Sequence, residues 1–572
     1  MTETMNLSSG LWLHPSLVLI AGALLTPLFR GNAQKMFRVA LALLVIYIVF
    51  NIELGVYGTF SFAGMEIVTG RADRLSLAFV YVFSIITLIA TIYSLHVKDN
   101  IQHVTSVIYA ASAIGVALAG DLMTVYVFWE MMMLASVWLI WRRATPTAYT
   151  AGYRYLMIHA ISGVLLLAGI VVYFGETGSI AFEHMQTESL SFYLILFGFM
   201  INAAVPPLGA WLPDAYPEAT ITGAIFLSAL TTKTAVYTLI RGYPGTELLL
   251  WLGVIMTLWG VTYAMLANDL RKLLSYHIIS QVGYMVTGVG LGTAMALNGA
   301  TAHAFTHILY KAVLFMGAGA VISMTGRNKI SDLGGGLYRY MPLTFLLYMI
   351  GAFSISGVPL FSGFVSKTMV LEAAALERNG TVWLLLMMAG VGTFLSVGLK
   401  LPYLTFIANR ENNLPPTQEA PWNMLLAMAI AGAFCIFIGV YPAWLYQYMP
   451  TEVNYNAFSL GHLYWELQLL LFTGLGFFLV VRLLSSKGKT VLDTDWVYRR
   501  GGPALVYKVA DMVRGTWRGF IKGSLGLVGS VIQSLRGDFG RGGVLGDTWS
   551  IGATTIWIAL FLGLFGAFVV FF

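Results

Sequence analysis

Residues 190–212 read LSFYLILFGFMINAAVPPLGAWL, an apolar run long enough to cross a bilayer but interrupted by Pro206 and Pro207. Two adjacent prolines remove two backbone donors from the middle of a helix. Non-helical backbone at membrane depth survives only inside protein or against a water-filled cavity. A second run, 342–371, is broken in the same manner by Gly351, Gly357, Pro359 and Gly363. Paired broken helices at corresponding places in a chain point to a transport pathway.

The rest of the chain sets these two segments in a membrane. Of 572 residues, 58% are apolar and only 10% are charged, against about 25% charged in ordinary soluble domains. A soluble core cannot absorb that share. Apolar runs fall near 11–29, 36–56, 75–96, 103–120, 121–141, 149–174, 190–212, 218–241, 246–266, 270–293, 297–325, 342–371, 382–409, 421–448, 464–484 and 551–571. The expected fold is an all-α polytopic membrane protein with about 16 transmembrane helices. The broken spans are the seventh and twelfth. Spans four to eight and nine to thirteen therefore read as two five-helix repeats, each with a broken fourth member. Five is odd, so the second repeat is inverted relative to the first.

This reading divides the chain into N-terminal helices (1–100), a first repeat (101–242), a second repeat (243–410), additional helices (411–485), a basic amphipathic segment (486–549) and a terminal helix (550–572). In the basic segment, Lys487, Lys489, Arg499, Arg500, Lys508, Arg514, Arg518, Lys522, Arg536 and Arg541 outnumber the acids, with Trp517, Phe520 and Ile532 interspersed. It suits a cytoplasmic membrane surface or a neighbouring subunit. Odd-numbered loops carry Arg30, Lys35, Arg38, Lys98, Arg142, Arg143, Arg271, Lys272, Arg327, Lys329, Arg339 and Arg410, while even-numbered loops carry only Arg71, Arg74, Arg241 and Arg378. That asymmetry places both termini on the outer side. The N-terminus MTETMNLSSG lacks the basic stretch of a cleaved signal.

Several chemistries are not expected. The single cysteine, Cys435, cannot form an internal disulfide or a Cys-ligated metal site. No Walker A loop or dinucleotide fingerprint is present; the stretch ending Lys487-Gly488-Lys489-Thr490 has Leu483 where the first glycine belongs. No cofactor, metal or nucleic acid is expected, and the net charge of +6 fits basic membrane loops.

Charges inside apolar spans identify the candidate site. A charge at the bilayer centre costs about 2.5–3.5 kcal/mol or more and needs a function or a partner. Glu130 lies within VYVFWEMMMLASVWLI, Lys233 within ITGAIFLSALTTKTAVYTLI, Lys367 just after the second break, and Lys400 before Pro402. His303, His307 and Lys311 step by four and share one helix face. Imidazoles that titrate near neutrality suit a proton relay, and Lys311 is a poor neighbour for a metal ion. His159 and His277 are further candidates, each with the plainer reading of a core histidine bonded to a carbonyl. Buried lysines lean toward neutrality by desolvation and back toward charge beside a carboxylate, so a line of them can load and release protons in turn.

These residues resemble the antiporter-like subunits shared by respiratory complex I, membrane-bound hydrogenases and the Mrp-type cation/proton antiporters. The matching stretches are FWEMM (128–132), PLGAWLPDAYPEA (207–219), DLRKLLSYHIISQVGYM (269–285), HAFTHILYKAVLFMGAGAVI (303–322), ISDLGGG (330–336) and GVPLFSGFVSK (357–367). LTTKTAVYTL (230–239) and GLKLPY (398–403) look closest to the D-type branch of the Mrp antiporter proteins. The resemblance implies a bacterial-type inner-membrane protein working with other membrane subunits and moving protons, in Mrp fashion in exchange for Na⁺. It further implies that Glu130 is the fifth-helix carboxylate, Lys233 the central lysine of the eighth helix, and His303, His307 and Lys311 the midline relay. Lys367 matches the lysine of the second broken helix, and Lys400 lies near the exit. The alternative is a membrane-arm or scaffold subunit that couples a redox or other catalytic partner to proton translocation. One departure stands out. The family usually has Gly-Lys-Ser-Ala-x-x-Pro in the first broken helix, and its lysine position falls here on Asn202, leaving Glu130 without its usual cation.

Overall fold

The computed structural model describes residues 12–408, 417–481, 496–540, 543 and 550–571. Arg410, the Lys487–Thr490 stretch with Leu483, the extreme N-terminus, and both ends of the basic segment (485–495 and most of 541–549) lie outside the described residues. Two units form, 1–495 and 496–572.

The first unit opens with α1 (Pro15–Leu25) and α2 (Gly31–Phe50), followed by a hairpin of β1 (Gly55–Phe62) and β2 (Met65–Ala72). Next come α3 (Arg74–Tyr93), α4 (Asn100–Leu118), α5 (Leu122–Trp141), α6 (Pro146–Thr177), α7 (Leu190–Asn202), α8 (Trp211–Ala215), α9 (Gly223–Ala229) and α10 (Thr231–Gly242). The chain continues through α11 (Glu247–Leu266), α12 (Leu270–Leu291), α13 (Ala294–Thr325), α14 (Ile330–Leu333), α15 (Pro342–Ser356), α16 (Ser362–Leu376) and α17 (Gly380–Thr393). Helix α17 runs on through π-helical turns at Phe394–Lys400 and Tyr403–Ile407. The unit ends with α18 (Trp422–Val440), α19 (Ala443–Tyr446) and α20 (Leu460–Val480). The second unit holds α21 (Gly502–Phe539) and α22 (Ile551–Phe571).

Among the described residues, 11 helices are long and apolar enough to cross a membrane, and shorter apolar helices lie at 15–28, 190–202 and 342–356. Each apolar run of the sequence carries helix, so the all-α polytopic fold stands. The expected count of sixteen spans is larger than the 11 that qualify by length and composition among the described residues. Both breaks fall where the prolines and glycines put them, between α7 and α8 and between α15 and α16.

Internal duplication is visible in matching end signals. Asp121 caps α5 by accepting from Thr124 N, and Asp269 caps α12 by accepting from Lys272 N. Thr145 caps α6 and Thr293 caps α13; both helices have 32 residues and stop at a left-handed glycine, Gly178 and Gly326. The same two places carry isolated antiparallel bridges, Asp121 with Ala181 and Asp269 with Lys329. Every one of these pairs falls at one constant spacing along the chain. Helices α11 and α12 approach at backbone distance because Gly253, Gly260, Gly283 and Gly290 line the seam; a Cβ on Gly253 would lie 2.5 Å from Thr287 N, and one on Gly283 2.7 Å from Thr257 N. Small residues permit such approach between membrane helices.

The β-hairpin has no counterpart in the sequence reading. Its turn, Ala63-Gly64, takes positive φ at both positions, 50° and 78°, the geometry that Asn-Gly usually signals. Val68 N donates to Asp121 Oδ2 at 2.8 Å, which fastens the strand to the start of α5. Arg38 and Arg241, expected in loops, lie instead inside helices. Arg38 donates to Ser94 Oγ at 2.6 Å and sits 2.9 Å from His103 Nε2. Arg241 donates to Asp73 Oδ1 at 2.8 Å and to Tyr237 OH at 2.8 Å.

Asp73 is also the cap of α3. Burial alone would raise its pKa, but the charge and hydrogen bond of Arg241 outweigh this and hold the carboxyl well below the usual carboxylate range. Its folded value lies below the unfolded one, so the stabilisation is full at neutral pH and fades only as pH falls below about 3.9. Asp73→Asn keeps a capping side chain but leaves Arg241, 6% exposed, without its carboxylate. The expected cost is about 3 kcal/mol, read as a lower apparent Tm of the purified protein in detergent.

Candidate functional site

The centre of the first unit holds a row of buried basic side chains. Lys233 is reached by a third helix interruption that neither Pro nor Gly marks. Helix α9 ends at Ala229, Leu230 stands between, and α10 begins at Thr231. Lys233 Nζ turns back to donate to Ser228 O at 2.5 Å and to Thr232 Oγ1 at 3.1 Å. From α13, Lys311 Nζ donates to Leu274 O at 2.9 Å. His303 Nδ1 lies 3.0 Å from Ser366 Oγ, and its Nε2 lies 3.4 Å from Tyr310 OH. The rings of His303 and His307 are 6.2 Å apart. Both ring nitrogens of His307 are buried with no hydrogen-bond partner.

His307 interacts electrostatically with Lys233, Lys311 and His303, and His303 interacts with Lys367 and Lys233. The structure therefore brings Lys233, His303, His307, Lys311 and Lys367 into one connected cluster at almost zero solvent exposure. Imidazole nitrogens without protein partners in such a row need water or a proton donor to complete them. Among the described residues no group of three or more His, Cys, Asp or Glu is placed to hold a metal ion.

Lys367 enters from α16, just past the second break. Its ammonium sits 5.5 Å from the Tyr284 ring centroid and against Gly390, where a Cβ would lie 3.0 Å from Nζ. Its carboxylate neighbour is Glu466 of α20, which the sequence reading did not single out. Glu466 interrupts the apolar run LYWELQLLLF, the same signal that drew attention to Glu130.

His277 Nε2 lies 2.7 Å from Ser396 Oγ in the π-helical stretch. One turn further, Lys400 Nζ donates to Met265 O at 2.6 Å and to Ala267 O at 3.4 Å. Lys400 thus closes the C-terminus of α11, where unpaired carbonyls favour a cation. His277 interacts with Lys311, Lys400 and Lys367, which links this end to the central row.

The first repeat is arranged differently. Glu130 is half-buried on α5, and its carboxylate lies against Gly163 of α6 with no room for a Cβ there. Among the described residues no cation comes within 4.0 Å of it. By the repeat spacing, Gly163 corresponds to Lys311 and His159 to His307. The first repeat therefore holds a carboxylate's tip where the second holds a lysine. His159 stacks on Tyr155 at 4.0 Å and meets Trp211 edge-on at 4.4 Å, with Nε2 buried and unpartnered. Asn202 ends α7; it is 1% exposed and its Oδ1 has no partner. Ser162, beside Gly163, donates to Gly198 O at 2.7 Å, one turn before Asn202. Past the break, Asp214 receives Arg154 in a bidentate pair at 2.6 and 2.8 Å. That clamp between α6 and α8 has no warning in the sequence reading.

The fold and these residues have relatives. The family described as NADH:quinone oxidoreductase/Mrp antiporter, TM, matches residues 119–396. The D-type subunit of the Na(+)/H(+) antiporter of Alkalihalophilus pseudofirmus is 31% identical over 356 residues, which are 58% of this chain and 71% of that protein. Hydrogenase-4 component B of Escherichia coli (strain K12) is 29% identical over 432 residues, 68% of this chain; the chain spans 64% of that component's length. Among solved structures, a chain of the membrane-bound sulfane sulfur reductase, an archaeal respiratory membrane complex, shares the fold. Its TM-score is 0.71 at 21% identity, over 97% of this chain and 99% of that one. With the broken helices, the matched stretch and the identity to the Na(+)/H(+) antiporter protein together, this chain belongs to the NADH:quinone oxidoreductase/Mrp antiporter transmembrane family.

Proposed function

We propose that this chain is an antiporter-like subunit of a multi-subunit membrane complex and that it translocates protons, in exchange for Na⁺. The observation that carries the reading is the buried row Lys233, His307, His303, Lys311 and Lys367, held among helices that are interrupted three times. Desolvated lysines bonded to carbonyls, with unpartnered imidazoles between them, suit hopping protons better than one bound solute. In this reading Glu130 loads the first repeat (101–242) and Lys400 gates one end of the second (243–410). Its place is a bacterial-type plasma membrane with both termini outside, and its drive comes from partner subunits. The Na(+)/H(+) antiporter relative supports exchange with sodium.

A second reading, a membrane arm coupled to a redox partner, is favoured by one observation. Asn202 stands where a cation for Glu130 is expected, which leaves the first repeat without the paired charges of a complete half-channel. The hydrogenase component relative supports this alternative. Purification from native membranes separates the two: small antiporter-type partners favour exchange, and a partner bearing iron–sulfur clusters, nickel or flavin favours the membrane arm.

Both readings need the histidines. In proteoliposomes holding the whole complex, His303→Leu/His307→Leu is expected to lower proton movement by about 100-fold, measured with a pH-sensitive dye while assembly stays normal. Wild-type transport by the double variant would remove the relay from the mechanism.

A further inference from the structure

We propose that α20 completes the pathway: a proton leaves Lys367 through Glu466 and a water-filled cavity to the Glu372–His462 pair at the membrane face. This rests on the reading of Lys367 as a proton carrier. Glu466 and His462 both lie beyond the stretch 119–396 that the family description matches.

Glu466 is 4% exposed, and its Oε1 is buried without a hydrogen-bond partner. It meets Lys367 at Gly357, where a Cβ would lie 2.7 Å from Glu466 Oε1 and 3.8 Å from Lys367 Cδ. The two side chains are neighbours, yet among the described residues they form no ion pair within 4.0 Å. A buried carboxylate in an apolar helix, with a lysine beside it but no direct ion pair among the described residues and one oxygen unpartnered, is costly and needs a use.

The carboxylate borders a cavity of about 210 Å³, which Thr368, Glu372, Trp383 and His462 also line. That is room for several waters at about 30 Å³ each. On its far side His462 Nε2 lies 3.1 Å from Glu372 Oε2, and Nδ1 lies 3.4 Å from Tyr455 OH. His462 and Glu466 are one helical turn apart and share a face. Helix α16 ends at Leu376, α17 begins at Gly380 and α20 begins at Leu460. The cavity therefore opens toward the face that bears 377–379 and 441–459. Lys400, at the end of α11, lies toward the opposite face.

In each transfer an N–H or O–H bond breaks as the next one forms. Lys367 gives its proton to Glu466 directly or through one water. Glu466 passes it to cavity water, and His462 with Glu372 releases it outside.

The test uses the whole complex in proteoliposomes, with Lys233→Ala as the control for the central row. Glu466→Gln is expected to slow proton transport at least about tenfold with normal assembly, and Glu466→Asp to recover a third or more of it. Wild-type transport by Glu466→Gln beside a silent Lys233→Ala overturns the α20 route and leaves the central row standing. Wild-type transport by both overturns the proposed function itself. Should Glu466→Gln fail to assemble, Thr368→Cys decides. The native Cys435 is buried, so a small charged thiol reagent should label position 368, and only from the face bearing 377–379. Labelling from the other face, or from neither, overturns the route.

Discussion

Lys233→Ala stops proton transport by the assembled complex, lowering it by about 100-fold or more, while the amount of complex in the membrane stays near wild type. The structural reason is the way the ammonium is held. Lys233 is fully buried, and its two partners are the carbonyl of Ser228 and the hydroxyl of Thr232. The carbonyl carries no proton of its own and serves to position the group. Removing the side chain leaves a carbonyl at an existing helix interruption, where water can take the ammonium's place. The cost to stability is therefore modest and the cost to transport is large. His307, which interacts with Lys233 on one side and with Lys311 and His303 on the other, loses its neighbour toward the first repeat. Dye-monitored proton uptake in proteoliposomes, normalised to assembled complex, reads the effect. Transport within threefold of wild type would take Lys233 out of the pathway.

Much of this site was legible in the sequence because a lipid environment makes exceptions conspicuous. A lysine or histidine in an apolar run stands out, and a helical step of four puts His303, His307 and Lys311 on one face by spacing alone. Proline and glycine located both main breaks for the same local reason. The hidden parts depend on what neighbours do. The break at Leu230 lies in LSALTTK, where each residue is compatible with helix, so only tertiary packing reveals it. The hairpin at 55–72 turns on Ala-Gly, without the Asn-Gly signal that would have marked it. Lys400 looked like an exit group, and the structure adds a second task, closing the carbonyl end of α11. Glu466 was visible as a lone acid in an apolar run, but its meaning depends on Lys367, about a hundred residues earlier in the chain.

The largest effect on the first repeat should come from a pair of changes and not from either alone. Asn202→Lys restores a cation at the end of α7, in a position 1% exposed whose amide oxygen has no partner. Glu130, lying against Gly163, is the acid this repeat offers at that depth, and Ser162 ties the Gly163 turn of α6 to the Gly198 carbonyl one turn before Asn202. The single variant should assemble, because the new ammonium gains a carboxylate that now lacks a cation. Combined with Glu130→Gln, the same lysine is left buried without a counter-charge, which costs about 3–5 kcal/mol. Assembly of the double variant should then fall by about 100-fold or more relative to Asn202→Lys, each 1.4 kcal/mol being a factor of ten. Glu130→Gln alone should assemble normally, since it removes a charge that has no partner. Quantifying assembled complex for the wild type, both single variants and the double variant gives the coupling between 130 and 202. Equal assembly of Asn202→Lys with and without Glu130 would mean that the two side chains do not meet. The first repeat would then use its glutamate without a partner at 202.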